Sequence, residues 1–141
     1  MAELSTAFRN QIVSFMRNTA ITGHTLHYVG LFKATTTDEG DLAALDAELR
    51  AGTITKEVSG NAYARQLAGL IAPTDGVSDN VADITFPTAT PAEWGMVTHC
   101  ALLDLVSGGV VAMWSRLDVF KTIGIGDTFK FNATELDVTV A

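Results

Sequence analysis

The sequence predicts a mainly β protein: an antiparallel β-sandwich with an N-terminal α-helix and a short inserted helix. Three observations carry this. From Glu57 to Val140 the chain alternates short apolar segments with turn residues. The segments are strand-sized, and 48% of all residues are hydrophobic. The turns are marked by Gly76, Asp79-Asn80, Ser107-Gly108-Gly109 and Gly124-Ile125-Gly126-Asp127. Short strands at regular spacing are the signature of a sandwich or barrel. A chain of 141 residues with no internal repeat or linker reads as a single domain, 1–141. Within it, 1–20 is the N-terminal helix and 26–141 the sandwich, with the helical insertion near 41–51.

The first element is a helix from Leu4 to Asn18. Leu4, Phe8, Ile12, Phe15 and Met16 recur at helical spacing, with Arg9, Asn10 and Arg17 mostly off that face. Ser5 or Thr6 caps the start, leaving Leu4 outside as a staple. β-Branched Thr19, Ile21 and Thr22 before Gly23 end it. Leu26–Lys33 is a strand with both faces largely apolar, so it is central or covered by the helix. A polar loop, 35–40, leads into the second helix, Asp41–Ala51. Asp41 is its cap, Leu42, Leu45 and Leu49 share a face, and Gly52 stops it. It reads as a lid over one end of the sandwich, with partner contact as the other reading.

The remaining strands are Ala62–Leu67, Ala82–Pro87, Trp94–Leu103, Val110–Leu117, Thr128–Asn132 and Leu136–Val140. Met96–Leu103 is apolar on both faces and belongs in the middle of a sheet. Trp94 anchors the core at its start. Phe129 and Phe131 share a face, Lys130 takes the other, and Leu136, Val138 and Val140 alternate with polar residues as in an outer strand. Pro87 and Pro91 interrupt any ladder before Trp94.

Charge and composition exclude several functions. A net charge of −7 disfavours a phosphate backbone as partner. The longest apolar run, Gly109–Trp114, falls far short of the ~20 residues of a membrane helix. Arg9 and Arg17 break the N-terminal apolar pattern, so no secretory leader is expected, and synthesis in the cytosol is. Cys100 is the sole cysteine, which excludes an intrachain disulfide and suits a buried, inert thiol.

The chemistry-bearing residues form no recognisable set. His24, His27 and His99 lack metal-ligand spacing, so each reads as a hydrogen-bonded, partly buried histidine, and no metal or cofactor is expected. Asp83, Asp104, Asp118, Asp127, Glu135 and Asp137 flank strands or fill turns, and nothing in their spacing selects a glycosidase-like pair. Ser59-Gly60 and Ser107-Gly108 lack the surroundings of a nucleophile elbow. Gly124-Ile125-Gly126 precedes a strand rather than a phosphate-binding helix. Tyr63, Trp94 and Trp114 read as core and rim residues before a ligand-stacking set.

The motifs Glu57-Val58-Ser59-Gly60-Asn61-Ala62-Tyr63-Ala64-Arg65, Ala82-Asp83-Ile84-Thr85-Phe86-Pro87, Trp94-Gly95-Met96-Val97-Thr98-His99 and Gly126-Asp127-Thr128-Phe129, in that order after an N-terminal helix and Tyr28-Val29-Gly30-Leu31-Phe32, resemble a family. It is a family of small bacteriophage virion proteins, labelled phage tail fibre proteins or head decoration proteins. The resemblance covers nearly the whole chain. It implies a non-enzymatic virion component with a jelly-roll-like β-sandwich, no catalytic residues and a symmetric oligomer, a homotrimer first. A compact chain without repeats or a shaft favours a capsid decoration (cement) protein on the virion surface. Its partner would be the major capsid protein in the assembled lattice. The alternatives are a tail or tail-fibre-associated structural protein and a carbohydrate-binding module for host-surface glycans. Phe8, Arg9, Phe15 and Arg17 are the candidate partner interface; that the Phe8/Phe15 face packs on its own sheet is the competing reading.

Overall fold

The computed structural model describes residues 2–20 and 27–139. Its core is a five-stranded antiparallel sheet. The first strand, β1 (Glu3–Leu4), leads into helix α1 (Thr6–Met16), strand β2 (Tyr28–Phe32) and helix α2 (Glu39–Ala51). Two-residue strands follow: β3 (Gln66–Leu67), β4 (Val77–Ser78) and β5 (Ile84–Thr85). The long hairpin is β6 (Gly95–Leu103) with β7 (Val111–Ile123), and β8 (Lys130–Phe131) and β9 (Val138–Thr139) complete the order. The sheet runs β1-β7-β6-β2-β3, while β4–β9 and β5–β8 are two-stranded ribbons. The mainly antiparallel character and the two helices match the expectation. The strands do not sort into the two comparable sheets of a jelly roll.

Alternation along β2 and β6 explains the layering. Val29, Leu31, Cys100, Leu102 and Ala112 look to one side, where they meet Phe86, Phe129 and Phe131 from the β5–β8 region. Phe32, Ala101, Leu103, Val111 and Trp114 look to the other, where Leu45 and Leu49 of α2 pack. With both faces covered, β6 is apolar on both and lies between β7 and β2. α2 therefore covers a sheet face rather than the end of a sandwich. Its cap also differs from expectation. Asp38 is the N-cap and the helix starts at Glu39, so Asp41 sits in the first turn, where its negative charge suits the helix N-terminus. Gly52, at φ 87°, closes the helix, and Thr53 N–H returns to the Glu48 carbonyl at 2.8 Å.

Several strands are shorter than their apolar segments. Gly60, Asn61 and Ala62 all have positive φ, so the backbone is still turning and no ladder forms before Gln66. β7 is longer than expected, because Ile123, Thr122 and Lys121 pair with Gly95, Met96 and Val97 across the hairpin. The N-terminal helix starts later, at Thr6 rather than Leu4. Leu4 is paired with Met113 in β1, and Ser5 N–H donates to the Ala112 carbonyl at 2.9 Å before the chain turns into α1. β4 falls where the sequence suggested only turns. Leu26, Val140 and the stretch closing the expected N-terminal helix from Ile21 lie outside the described residues.

Candidate assembly surface

α1 is fixed at both ends and left open along one side. Buried Ser5 caps it, its Oγ accepting Phe8 N–H at 3.2 Å. At the other end Asn18 takes a left-handed conformation, φ 62°. Asn18 N–H then reaches the Phe15 carbonyl at 2.9 Å and Thr19 N–H reaches that of Ser14 at 3.1 Å. The helix touches β7 and α2, yet none of its residues is fully buried. Phe8 is half-buried against the main core cluster. Phe15, in contrast, is 61% exposed, because it lies in the last turn, beyond that contact. Arg9 and Arg17 are both exposed. Two residues outside the expected set join them: Val13 and Met16, which are 58% and 81% exposed. Arg9, Val13, Met16 and Arg17 sit at i, i+4, i+7 and i+8, which is one helical face. The hydrophobic spacing in the sequence puts Phe8, Ile12, Phe15 and Met16 on one face; the structure turns Phe8 and Ile12 toward the fold and leaves Phe15 and Met16 exposed in the last turn.

The remaining polar clusters are struts. Arg65 and Glu57 form a buried bidentate pair, Nε to Oε1 and Nη2 to Oε2, both at 2.6 Å. Arg65 Nη1 also donates to the carbonyls of Leu105 and Gly108 at 2.6 and 2.7 Å. Tyr63 Oη donates to Glu57 Oε1 and accepts Leu31 N–H, both at 2.9 Å. Burial, with the Glu57 charge beside it, raises the Tyr63 phenol well above its ordinary pKa, so it remains a donor. Gly30 makes room for this network. A Cβ there would stand 2.8 Å from Leu103 Cδ1 and 3.1 Å from Glu57 Oε1.

A second strut ties α2 to the sheet. His99 is buried; its Nε2 meets Asp46 Oδ1 at 2.9 Å and its Nδ1 meets Thr98 Oγ1 at 2.8 Å. Asp46 also accepts from Arg116, which reaches Glu39 in turn. An ionised Asp46 only accepts, so His99 Nε2 donates and the neutral ring takes the Thr98 hydroxyl proton at Nδ1. The order hydroxyl–imidazole–carboxylate is that of a hydrolase triad. Here the hydroxyl is spent on structure. Thr98 is 1% exposed, and its Oγ also accepts Ala34 N–H at 3.0 Å. His27 is half-buried with a partner of its own, and His24 lies outside the described residues. Among the described residues no three His, Cys, Asp or Glu side chains gather as metal ligands. Burial pushes the Cys100 thiol up to about 12, so it is protonated and unreactive at neutral pH. Of the aromatic set, Trp94 and Trp114 are only 2% and 4% exposed, which leaves no stacking platform.

The His99 strut predicts a pH dependence. Burial lowers the His99 pKa below the ordinary 6.5, against the pull of Asp46. The unfolded chain therefore binds more protons below 6.5, and stability falls as pH drops through that window. For Asp46, burial raises the pKa, but hydrogen bonds from Arg116 and His99 outweigh it and leave it below 3.8. Its contribution is present above 3.8 and is lost only in stronger acid. The urea midpoint is expected to fall as the pH drops below 6.5. In His99→Gln, which retains a donor for Asp46, that slope should flatten. An unchanged slope would put the titration elsewhere.

No helix among the described residues is long and apolar enough to cross a membrane. No curated protein matches the chain. Residues 3–139 match the model of the family described as Podophage GP4 fiber I protein gp80. The match runs from the first residue of β1 to the last of β9, and the chain belongs to this family of small phage virion structural proteins.

Proposed function

We propose that this protein is a non-enzymatic structural subunit of a phage fibre, carried on the tail side of the virion. The family's description as a fibre protein, over 3–139, is the observation that carries this reading. The Arg65–Glu57 and His99–Asp46–Arg116 clusters support it: each ties one element of the fold to another, and neither offers an exposed nucleophile or acid–base pair. Val13, Met16 and Arg17 give the subunit a surface to be covered by neighbours in an assembly. Capsid decoration, on the assembled lattice of the major capsid protein, is the second reading. The lack of shaft repeats in a compact chain favours it. Both roles depend on many weak contacts made together, where linkage adds avidity of about 10²–10⁴.

Antibody labelling of intact particles separates the two. Label confined to the tail, at few copies per particle, is the expected result. Label spread over the head at high copy number would replace the fibre reading with the decoration reading. For the second, full-length protein added to stripped heads should raise their heat resistance, and a chain lacking 1–20 should not.

A further inference from the structure

We propose that copies of this chain bind one another through α1, its Arg9–Val13–Met16–Arg17 face docking on the outer face of the β4–β9 ribbon of a second copy. The inference goes beyond the virion location and holds for either one.

The argument is one of complementary charge around apolar contact. The chain carries a net charge of −7, yet from Thr6 to Asn18 its charged residues are two arginines. Neither Arg9 nor Arg17 has an ion-pair partner among the described residues. Between them Val13 and Met16 stand exposed. The stripe from Arg9 to Arg17 is about 12 Å long, eight residues at helical rise.

The β4–β9 ribbon presents the opposite pattern. Ser78 and Asn80 point inward and are buried. Asn80 is fully engaged, donating to the Ala82 and Asn132 carbonyls at 2.8 and 2.9 Å and accepting Leu136 N–H at 2.9 Å. Their neighbours Val77, Asp79 and Val81 therefore point outward, and both valines are exposed. That row is about 13 Å long, four residues at strand rise. Ser78 pairs with Val138, so Asp79 lies across from Asp137. Like charges directly opposite on two strands are destabilising. Hydrogen bonding to Asp137 raises the Asp79 carboxyl, the response of two acids left facing each other. An arginine laid on the pair removes the conflict and can bind both carboxylates, while Val13 and Met16, one helical turn apart, cover the valine on one side of it. The arginine stripe and the acidic ribbon are parts of one chain, so a second copy supplies the whole partner. A contact between two different faces gives a ring, of which a homotrimer is one form, where the rotation closes, and an open filament where it does not. One helix face is small beside the ~800 Å² per partner of a standard interface, so each contact is weak and salt-sensitive.

Light scattering and sedimentation of the full chain test this. At about 100 μM and low salt the wild type should be oligomeric, and the mass should fall as salt is added. Arg9→Glu/Arg17→Glu and Asp79→Lys/Asp137→Lys should each weaken association about tenfold or more, with circular dichroism and melting unchanged. Mixing the two charge-reversed proteins should restore a complex. Fluorescence polarisation with a labelled charge-reversed chain reads that pairing directly. A monomeric wild type at that concentration, an oligomer indifferent to both reversals, or no rescue on mixing would overturn the proposal. Normal oligomers in the reversed variants with failed incorporation into particles would also overturn it, and would assign the face to another virion protein.

Discussion

Trp94→Ala is expected to destabilise the protein by about 3–5 kcal/mol, the range for a large aromatic removed from a core. Three separate contacts fail together. The indole lies in the main core cluster, with the Tyr63 ring edge-on at 5.4 Å, and Tyr63 stacks in turn on Phe86. Its Nε1–H donates to the Asn61 carbonyl at 2.9 Å, which holds the strained turn at Asn61 and Ala62, φ 50° and 65°. Alanine would leave that carbonyl with only the longer bond from Thr90 N–H, at 3.2 Å, among the described residues, and a cavity beside Tyr63. The Trp94 backbone is engaged as well, its N–H on the Ile123 carbonyl at 3.0 Å and its carbonyl under Lys33 Nζ at 2.6 Å. The loss should therefore come from the side chain, with β6 still formed. Trp94→Phe, which retains a ring and forfeits the hydrogen bond, should cost less. Urea unfolding with an unchanged slope and a lower midpoint is the measurement. A loss below about 1 kcal/mol would mean the indole packs on nothing that matters.

The role of Trp94 could be read from the sequence because it opens a run apolar on both faces, and a run of that kind has to be enclosed. Leu42, Leu45 and Leu49 were legible for the same reason, as were Phe129 and Phe131 against Lys130. In each case the period of the hydrophobic residues reports the burial directly. β1 and β4 were hidden because two residues hold no period. Leu4 fits the helical spacing of Phe8 and Ile12, so the pattern extends the helix through it; its pairing with Met113 and the hydrogen bond from Ser5 N–H to the Ala112 carbonyl end that extension. The exposed stripe on α1 was hidden for a different reason. Periodicity groups Met16 with Phe8 and Ile12 but does not say which part of that face is covered, and Val13 lies off it; their exposure follows from where β7 and α2 end against α1. Asp79 and Asp137 are 58 residues apart and become opposed through the Ser78–Val138 register, which no local pattern encodes. Glu57 and Arg65 look like surface charges in a turn-rich motif, because sequence alone does not show that Gly30 leaves space for them under β2.

Breaking that pair is the other large effect. Arg65→Met is expected to cost about 3–5 kcal/mol, the range for a buried ion pair that loses one partner. Glu57 would be left mostly buried, with Tyr63 its only remaining side-chain hydrogen-bond donor among the described residues, and the carbonyls of Leu105 and Gly108 would lose theirs. The loop between β6 and β7 should loosen as a result. Gly109 contributes to its shape, since a Cβ there would collide with Asp104 Oδ1, the acceptor of Val110 N–H. Proteolytic nicking between Asp104 and Val110 should therefore rise in the variant at temperatures where the rest of the fold persists. Glu57→Gln/Arg65→Met separates the two contributions. With no charge left in the site, the double variant should recover part of the stability lost in Arg65→Met, because desolvating the lone carboxylate is the larger share of the cost. It should not recover the loop, whose carbonyls still lack the guanidinium. Equal stability of the single and double variants would mean that Glu57 escapes to water when Arg65 is gone, and that the pair holds the loop in place without carrying buried charge.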